Sequence, residues 1–190
     1  MVRLVLASGS PQRRRILDDL GLDFEVRPTD APEDEAGEPA AVAAANALRK
    51  ARAAAEAGGG DDELVLACDT VVATGDRLWG KPADAAQARV TLRHLSGRAH
   101  DVISAVALLR GDDLRTAGEL TKVTFRELDD AAIERYVASG EWQGRAGGYA
   151  IQGRGGLLVS RLEGDYLNVV GLPVAALLRL CPGLADEFAA

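Results

Sequence analysis

Residues 6–22 read LASGSPQRRRILDDLGL, and with the apolar Val2, Leu4 and Val5 in front of them they give a strand, a turn of small residues and a helix starting at Pro11. A strand that feeds a helix through so short a turn is the building unit of α/β proteins. Ser10 is a good N-cap, and Pro11 at the first helical position lacks the N–H that would go unpaired there anyway. The charge is the anomaly. The positive end of the helix dipole disfavours Arg13, Arg14 and Arg15, each by roughly 0.3–1 kcal/mol when nothing compensates. A bound anion removes the conflict.

Downstream, Phe24 to Arg27 reads as a short strand, followed by an acidic, proline-containing loop, PTDAPEDEAGEP over 28–39. Residues 39–60, PAAVAAANALRKARAAAEAGGG, predict an alanine-rich helix of about five turns closed by Gly58, Gly59 and Gly60. The apolar run Leu64 to Ala67 is interrupted by Asp69, and a turn at Thr74 to Asp76 precedes Leu78 and Trp79. Ala85, Ala88, Val90, Leu92 and Leu95 recur at helical spacing. Residues 96–128 predict two long strands around a Gly111 to Asp113 turn, and Asp129 or Asp130 caps a short helix ended by Gly140.

The segment GEWQGRAGGYAIQGRGG, residues 140–156, is too glycine-rich for a regular element and reads as a loop with a task other than packing. A strand pair around LLVSRLEGDY, residues 157–166, and a final helix from Pro173 to about Leu180 complete the chain. Strands interspersed with helices, without repeat or linker, predict one α/β unit with mixed strand pairing over residues 1–190, as one large domain or two small lobes sharing a core.

Composition narrows the function. An apolar content of 47% with 27% charged residues is that of an ordinary globular chain, which excludes disorder and membrane insertion as expectations. The net charge of −7 argues against sequence-independent binding of a polymeric nucleic acid, while a local basic cleft can still take a small phosphate compound. The N-terminus shows no secretory pattern, so a cytoplasmic location is expected. Cys68 and Cys181 form no disulfide framework, and with His94 and His100 they lack zinc-ligand spacing. Cys68 reads as a small residue of a buried strand, with a catalytic thiol as the alternative.

Four features carry chemistry. Ser8, Ser10 and Arg13 at the strand–turn–helix junction form a generic phosphate-binding arrangement, without the GxxxxGK[ST] pattern of a P-loop. Asp69 places a carboxylate at the end of an apolar run, where an unpaired charge is costly; a cap or salt bridge at a strand end is its plain structural reading. Lys81 sits in the turn GKP, and Glu33 in the acidic loop, where each is otherwise a solvated charge. Together they combine carboxylates that can hold a hard divalent cation with cations that can hold phosphates, which is phosphoanhydride chemistry.

These residues lie in segments that resemble the Maf family of nucleoside triphosphate pyrophosphatases: LASGSPQRRRILDDLGLDFEV, LRKARA, ACDTVV, LWGKPAD, LSGRAHDVISAVAL, TKVTFREL and AGGYAIQGRGGLLVSRLEGDYLNVVGLP, in order from residue 4 to about 180. The resemblance implies a two-lobed α/β fold around a long twisted mixed sheet, similar to the Ham1-type inosine triphosphate pyrophosphatases, with the active site in a central cleft. It implies hydrolysis between the α and β phosphates, a Mg or Mn cofactor and a homodimer. Carried over by motif, Ser8, Ser10, Arg13, Lys50 and Lys81 contact the triphosphate, Glu33 is a metal ligand, and Asp69 activates the attacking water or shares the metal.

Thr70 and Gln152 align with the branch acting on dTTP, UTP and modified pyrimidine triphosphates, and a glutamine amide suits a uracil or thymine edge. Simple β propensity also accounts for Thr70, and a self-satisfied loop amide for Gln152. The chain departs from the family at Gln12, where a second arginine is usual; either phosphate affinity falls or Arg14 or Arg15 substitutes. Two other readings stay open: a purine-type enzyme acting on ITP, XTP or 7-methyl-GTP, and a nucleotide-binding division regulator without turnover.

Overall fold

The computed structural model describes residues 2–58, 60 and 62–189, so Gly59 of the expected helix end lies outside the described residues. The elements, in chain order, are β1 (Arg3–Leu6), α1 (Pro11–Asp19), β2 (Glu25–Val26), α2 (Pro39–Gly58), β3 (Glu63–Thr74), β4 (Arg77–Trp79) and α3 (Ala85–Leu95). After them come β5 (Ala99–Arg110), β6 (Asp113–Phe125), α4 (Asp130–Ala138), β7 (Val159–Glu163), α5 (Tyr166–Val170), α6 (Val174–Leu180) and α7 (Leu184–Glu187). The sheet is mixed and open, in the order β2-β1-β3-β5-β6-β7, with β4 added on β3. β1 runs parallel to β2 and β3, and the other pairings are antiparallel.

Strand alternation divides the core. One face of the sheet presents Leu4, Leu6, Leu66, Cys68, Val106 and Leu108 to Ile16 and Leu17 of α1 and to Leu177 of α6. The opposite face presents Val5, Ala7, Val65, Ala67, Ala105 and Ala107 to Ala43, Ala47, Ala51 and Ala54 of α2. Those four alanines recur at helical spacing, so α2 lays a narrow, nearly featureless stripe close against the strands. A third cluster joins Val72, Trp79, Val102, Val123 and Phe125 to α3 and α4.

Several expectations need correction. The strand at Phe24 to Arg27 shrinks to Glu25–Val26. The expected strand pair at 157–166 is one strand, β7, followed by α5: Gly164 takes φ +129, and Asp165 accepts from the Leu167 N–H at 2.8 Å, which caps a helix where β propensity suggests a strand. The helix after Pro173 is not the last, since α7 follows it. The glycine-rich loop contains two 3₁₀ turns, at Ala146–Gly148 and Arg154–Leu158. Gly147 there has φ +68, and a Cβ on it would meet the Val72 side chain at 3.0 Å, so glycine is required twice over.

His100 of β5 is buried between Phe125 and Tyr149, edge-on to both, with Nε2 2.9 Å from the Tyr149 hydroxyl. Burial pushes its pKa down to about 4. A histidine whose native pKa lies below its unfolded value of about 6.5 contributes stability that is complete above pH 6.5 and is lost as pH falls toward 4. From pH 7 to 5 this group is expected to cost about 2 kcal/mol. Urea midpoints at the two pH values should therefore fall further for the wild type than for His100→Gln; equal falls would contradict the assignment.

Candidate active site

β1 pairs with β3 as far as Leu6 opposite Leu66, and β4 takes up that side of β3 only from Val72 onward. Among the described residues, the stretch between, holding Asp69 and Thr70, has a strand partner only in β5, through Ala105 and Ser104. The opening lies beyond the carboxyl end of β1, the position at which open α/β sheets bind ligands. Asp69 therefore does not end the apolar run: β3 passes straight through it. Alternation sends Asp69 toward α2, as for Val65 and Ala67, and Thr70 toward α1.

A cleft of about 730 Å³ occupies this opening, and it is lined by all nine residues singled out from the sequence: Ser8, Ser10, Arg13, Glu33, Lys50, Asp69, Thr70, Lys81 and Gln152. On its α1 wall Ser10 is the N-cap, accepting from the Arg13 N–H at 3.5 Å. The Arg13 side chain is buried and turned inward. Its Nε donates to the Gly171 carbonyl at 2.8 Å, Nη1 to Ser8 Oγ at 3.0 Å and Nη2 to Thr70 Oγ1 at 3.3 Å. Every one of these acceptors is neutral, and among the described residues no carboxylate pairs with Arg13. A buried cation without a counterion is costly, and it faces the cleft.

Neither neighbouring arginine repeats this. Arg14 is exposed, Arg15 is exposed and paired with Asp19 one helical turn on, at 3.4 Å, and neither lines the cleft. Gln12 itself lines the cleft and accepts from Ser10 Oγ at 3.1 Å. Thr70 is committed to Arg13 and to Ser104 Oγ, 2.8 Å away, while Gln152 is exposed at the cleft mouth.

The opposite wall is acidic. Lys50 Nζ lies 2.6 Å from Asp69 Oδ1 and 2.6 Å from Glu33 Oε1, with its side chain only 10% exposed. The lysine expected on phosphate here bridges the two carboxylates. Lys81 is mostly exposed and approaches Glu33 Oε2 at 3.8 Å. No group of three or more acidic, histidine or cysteine side chains converges as a metal cage among the described residues. Two carboxylates meeting at one ammonium nevertheless fit a hard divalent cation, Mg or Mn, whose other positions go to water and phosphate oxygens.

Two cleft residues were missed by sequence reasoning. Asn46, 2% exposed on α2, donates to Asp69 Oδ2 at 3.0 Å. Its signal was present: an amide four residues before Lys50, on the buried face of an alanine helix. Arg145 lines the cleft from the glycine-rich segment, with its Nε buried and, among the described residues, without a hydrogen-bond partner. Nothing local marks it out. The thiol reading of Cys68 finds no support, because the side chain is fully buried and burial pushes the thiol pKa up, away from thiolate.

The family model described as "Maf-like protein" matches residues 3–183. The dTTP/UTP pyrophosphatase of Pyrococcus furiosus is 41% identical over 180 residues, 95% of this chain and 94% of that one. The enzyme of the same name from Bacillus cytotoxicus is 42% identical over 181 residues, 94% of each. Among solved structures, a HAM1 protein from Coxiella burnetii aligns with a TM-score of 0.47 at 23% identity, over 66% of this chain and 73% of that one. Matched from β1 to the end of α6 and aligned over nearly its whole length with such relatives, the chain belongs to the Maf family.

Proposed function

We infer that this protein is a nucleoside triphosphate pyrophosphatase, acting as one unit with a central cleft, that hydrolyses dTTP and UTP to the monophosphate and pyrophosphate. The observation that carries the reading is Arg13: a buried guanidinium that has, among the described residues, only neutral partners, across a cleft from two carboxylates that share one lysine. A polyphosphate tail supplies the missing anion. The names of the Pyrococcus and Bacillus relatives support the substrate class.

In this mechanism Arg13 and Lys81 bind the phosphates, together with the Ser8 hydroxyl before the start of α1. Glu33 and Asp69 would hold the divalent cation, which when bound neutralises phosphate charge. Each Asp69 oxygen is engaged once, by Lys50 or Asn46, and keeps a further lone pair. Asp69 orients a water toward the α phosphorus and takes its proton. The new P–O bond forms as the bond from the α phosphorus to the bridging oxygen breaks, and pyrophosphate leaves with that electron pair. The cationic wall meets the growing charge there, and such stabilisation supplies most of the catalysis in phosphoryl transfer.

The test is pyrophosphate release over a nucleotide panel with Mg and with Mn. dTTP and UTP should exceed ITP, XTP and 7-methyl-GTP in kcat/KM by about 10-fold or more, the order that one bidentate contact to a base edge, about 1–3 kcal/mol, affords. Preference for a purine would overturn the substrate assignment. Nucleotide binding without pyrophosphate release under either metal would make the protein a sensor rather than an enzyme.

A further inference from the structure

Asn46 uses every hydrogen-bonding position of its amide. One Nδ2 hydrogen goes to Asp69 Oδ2 at 3.0 Å and the other to the Asp34 carbonyl at 3.1 Å, while Oδ1 accepts from the Asp34 N–H at 2.7 Å and from Arg49. One side chain thus joins three parts of the fold: α2, the one-sided stretch of β3, and both backbone groups of a residue in the acidic loop. That residue directly follows Glu33. The loop is otherwise held by Arg49, which donates to the Pro32 carbonyl at 2.9 Å and pairs with Asp34 at 2.7 Å, and by the Glu33–Lys50 contact.

We propose that Asn46 is a positioning residue for the reaction: it sets the plane of the Asp69 carboxylate and fixes Glu33 at a constant distance from it, so that both act as one preorganised unit. Polar loops with exposed side chains are the mobile parts of a fold, and nothing in the composition of residues 28–39 holds them still. A buried, fully satisfied amide ties this loop at Asp34, and unlike the Arg49 and Lys50 ion pairs it binds both backbone groups of that residue. Because Asn46 reaches substrate only through Asp69 and Glu33, its loss falls on turnover more than on nucleotide affinity. The proposal rests on the pyrophosphatase reading of the same cleft.

The experiment is a double-mutant cycle of Asn46→Leu and Asp69→Asn, read by kcat, by KM and by the affinity of the uncleavable analogue α,β-methylene-UTP. Asn46→Leu should lower kcat for dTTP by about 10–100-fold, the usual cost of losing a partner that orients a catalytic carboxylate, with KM and analogue affinity within about 3-fold of wild type. In the Asp69→Asn background the same substitution should cost almost nothing more. Additive losses, or a loss confined to KM, would overturn the proposal.

Asn46→Asp, nearly isosteric but without either donor, serves as a second variant should Asn46→Leu fail to fold. The wild type gives an independent readout: the Asp34 amide should exchange its hydrogen about 100-fold more slowly than freely exposed loop amides, and fast exchange would overturn the tie to the loop. If the wild type releases no pyrophosphate, the functional reading fails while the exchange result still decides whether the loop is tied. If it turns over normally and the cycle is additive, only the role of Asn46 fails.

Discussion

Asp69→Asn should lower kcat for dTTP and UTP by about 10³-fold, within the range that loss of a positioned general base covers, while the protein stays folded. The substitution keeps the shape and removes the charge. Both partners of the carboxylate are donors: Lys50 Nζ at 2.6 Å and Asn46 Nδ2 at 3.0 Å. An asparagine must present its own NH₂ to one of them, so one hydrogen bond becomes a meeting of two donors whichever way the amide turns. The stability cost is about 1–3 kcal/mol, and Lys50 keeps Glu33 as a counterion. A melting curve alongside the kinetics separates this cost from the catalytic one. Near wild-type turnover in a folded Asp69→Asn protein would remove Asp69 from the mechanism.

Much of this cleft is legible in the sequence because its parts are local. A small-residue turn before Ser10 and Pro11 dictates where α1 begins, and that start dictates where Arg13 can point. The strands of residues 96–128 are equally plain, since long alternating runs around a glycine turn leave few other pairings. What stays hidden is set by tertiary packing. The bridging role of Lys50 depends on α2 crossing β3 at the register that brings Lys50 and Asn46 to Asp69, and an alanine stripe does not announce that register. Asp69 reads as an interruption because a charge inside a strand is tolerated only when a partner arrives from elsewhere in the chain. The end of β7 is misread for a different reason. There a cap at Asp165 and a left-handed Gly164 outweigh residues that otherwise favour a strand.

Arg13→Leu should raise KM for dTTP by about 100-fold or more, since truncating one side of a buried, charge-assisted contact costs roughly 2–5 kcal/mol. The unliganded protein loses less. Ser8 and Thr70 carry hydroxyls that can turn to other acceptors, the Gly171 carbonyl keeps the Cys68 thiol and the Thr70 hydroxyl within 3.5 Å, and a buried cation without a counterion has gone. Binding and stability therefore separate, which a merely structural arginine would not allow. Inorganic pyrophosphate makes the distinction without turnover. At a concentration 100-fold above its Kd it should stabilise the wild type by about 2.7 kcal/mol, and that rise in melting temperature should nearly vanish in Arg13→Leu. Arg13→Lys should recover only part of it, because a single ammonium cannot reach the Gly171 carbonyl, Ser8 and Thr70 in the forked geometry and still face a phosphate. A pyrophosphate-dependent stabilisation equal in wild type and Arg13→Leu would mean that the anion sits elsewhere, and that the charge at the start of α1 serves the fold alone.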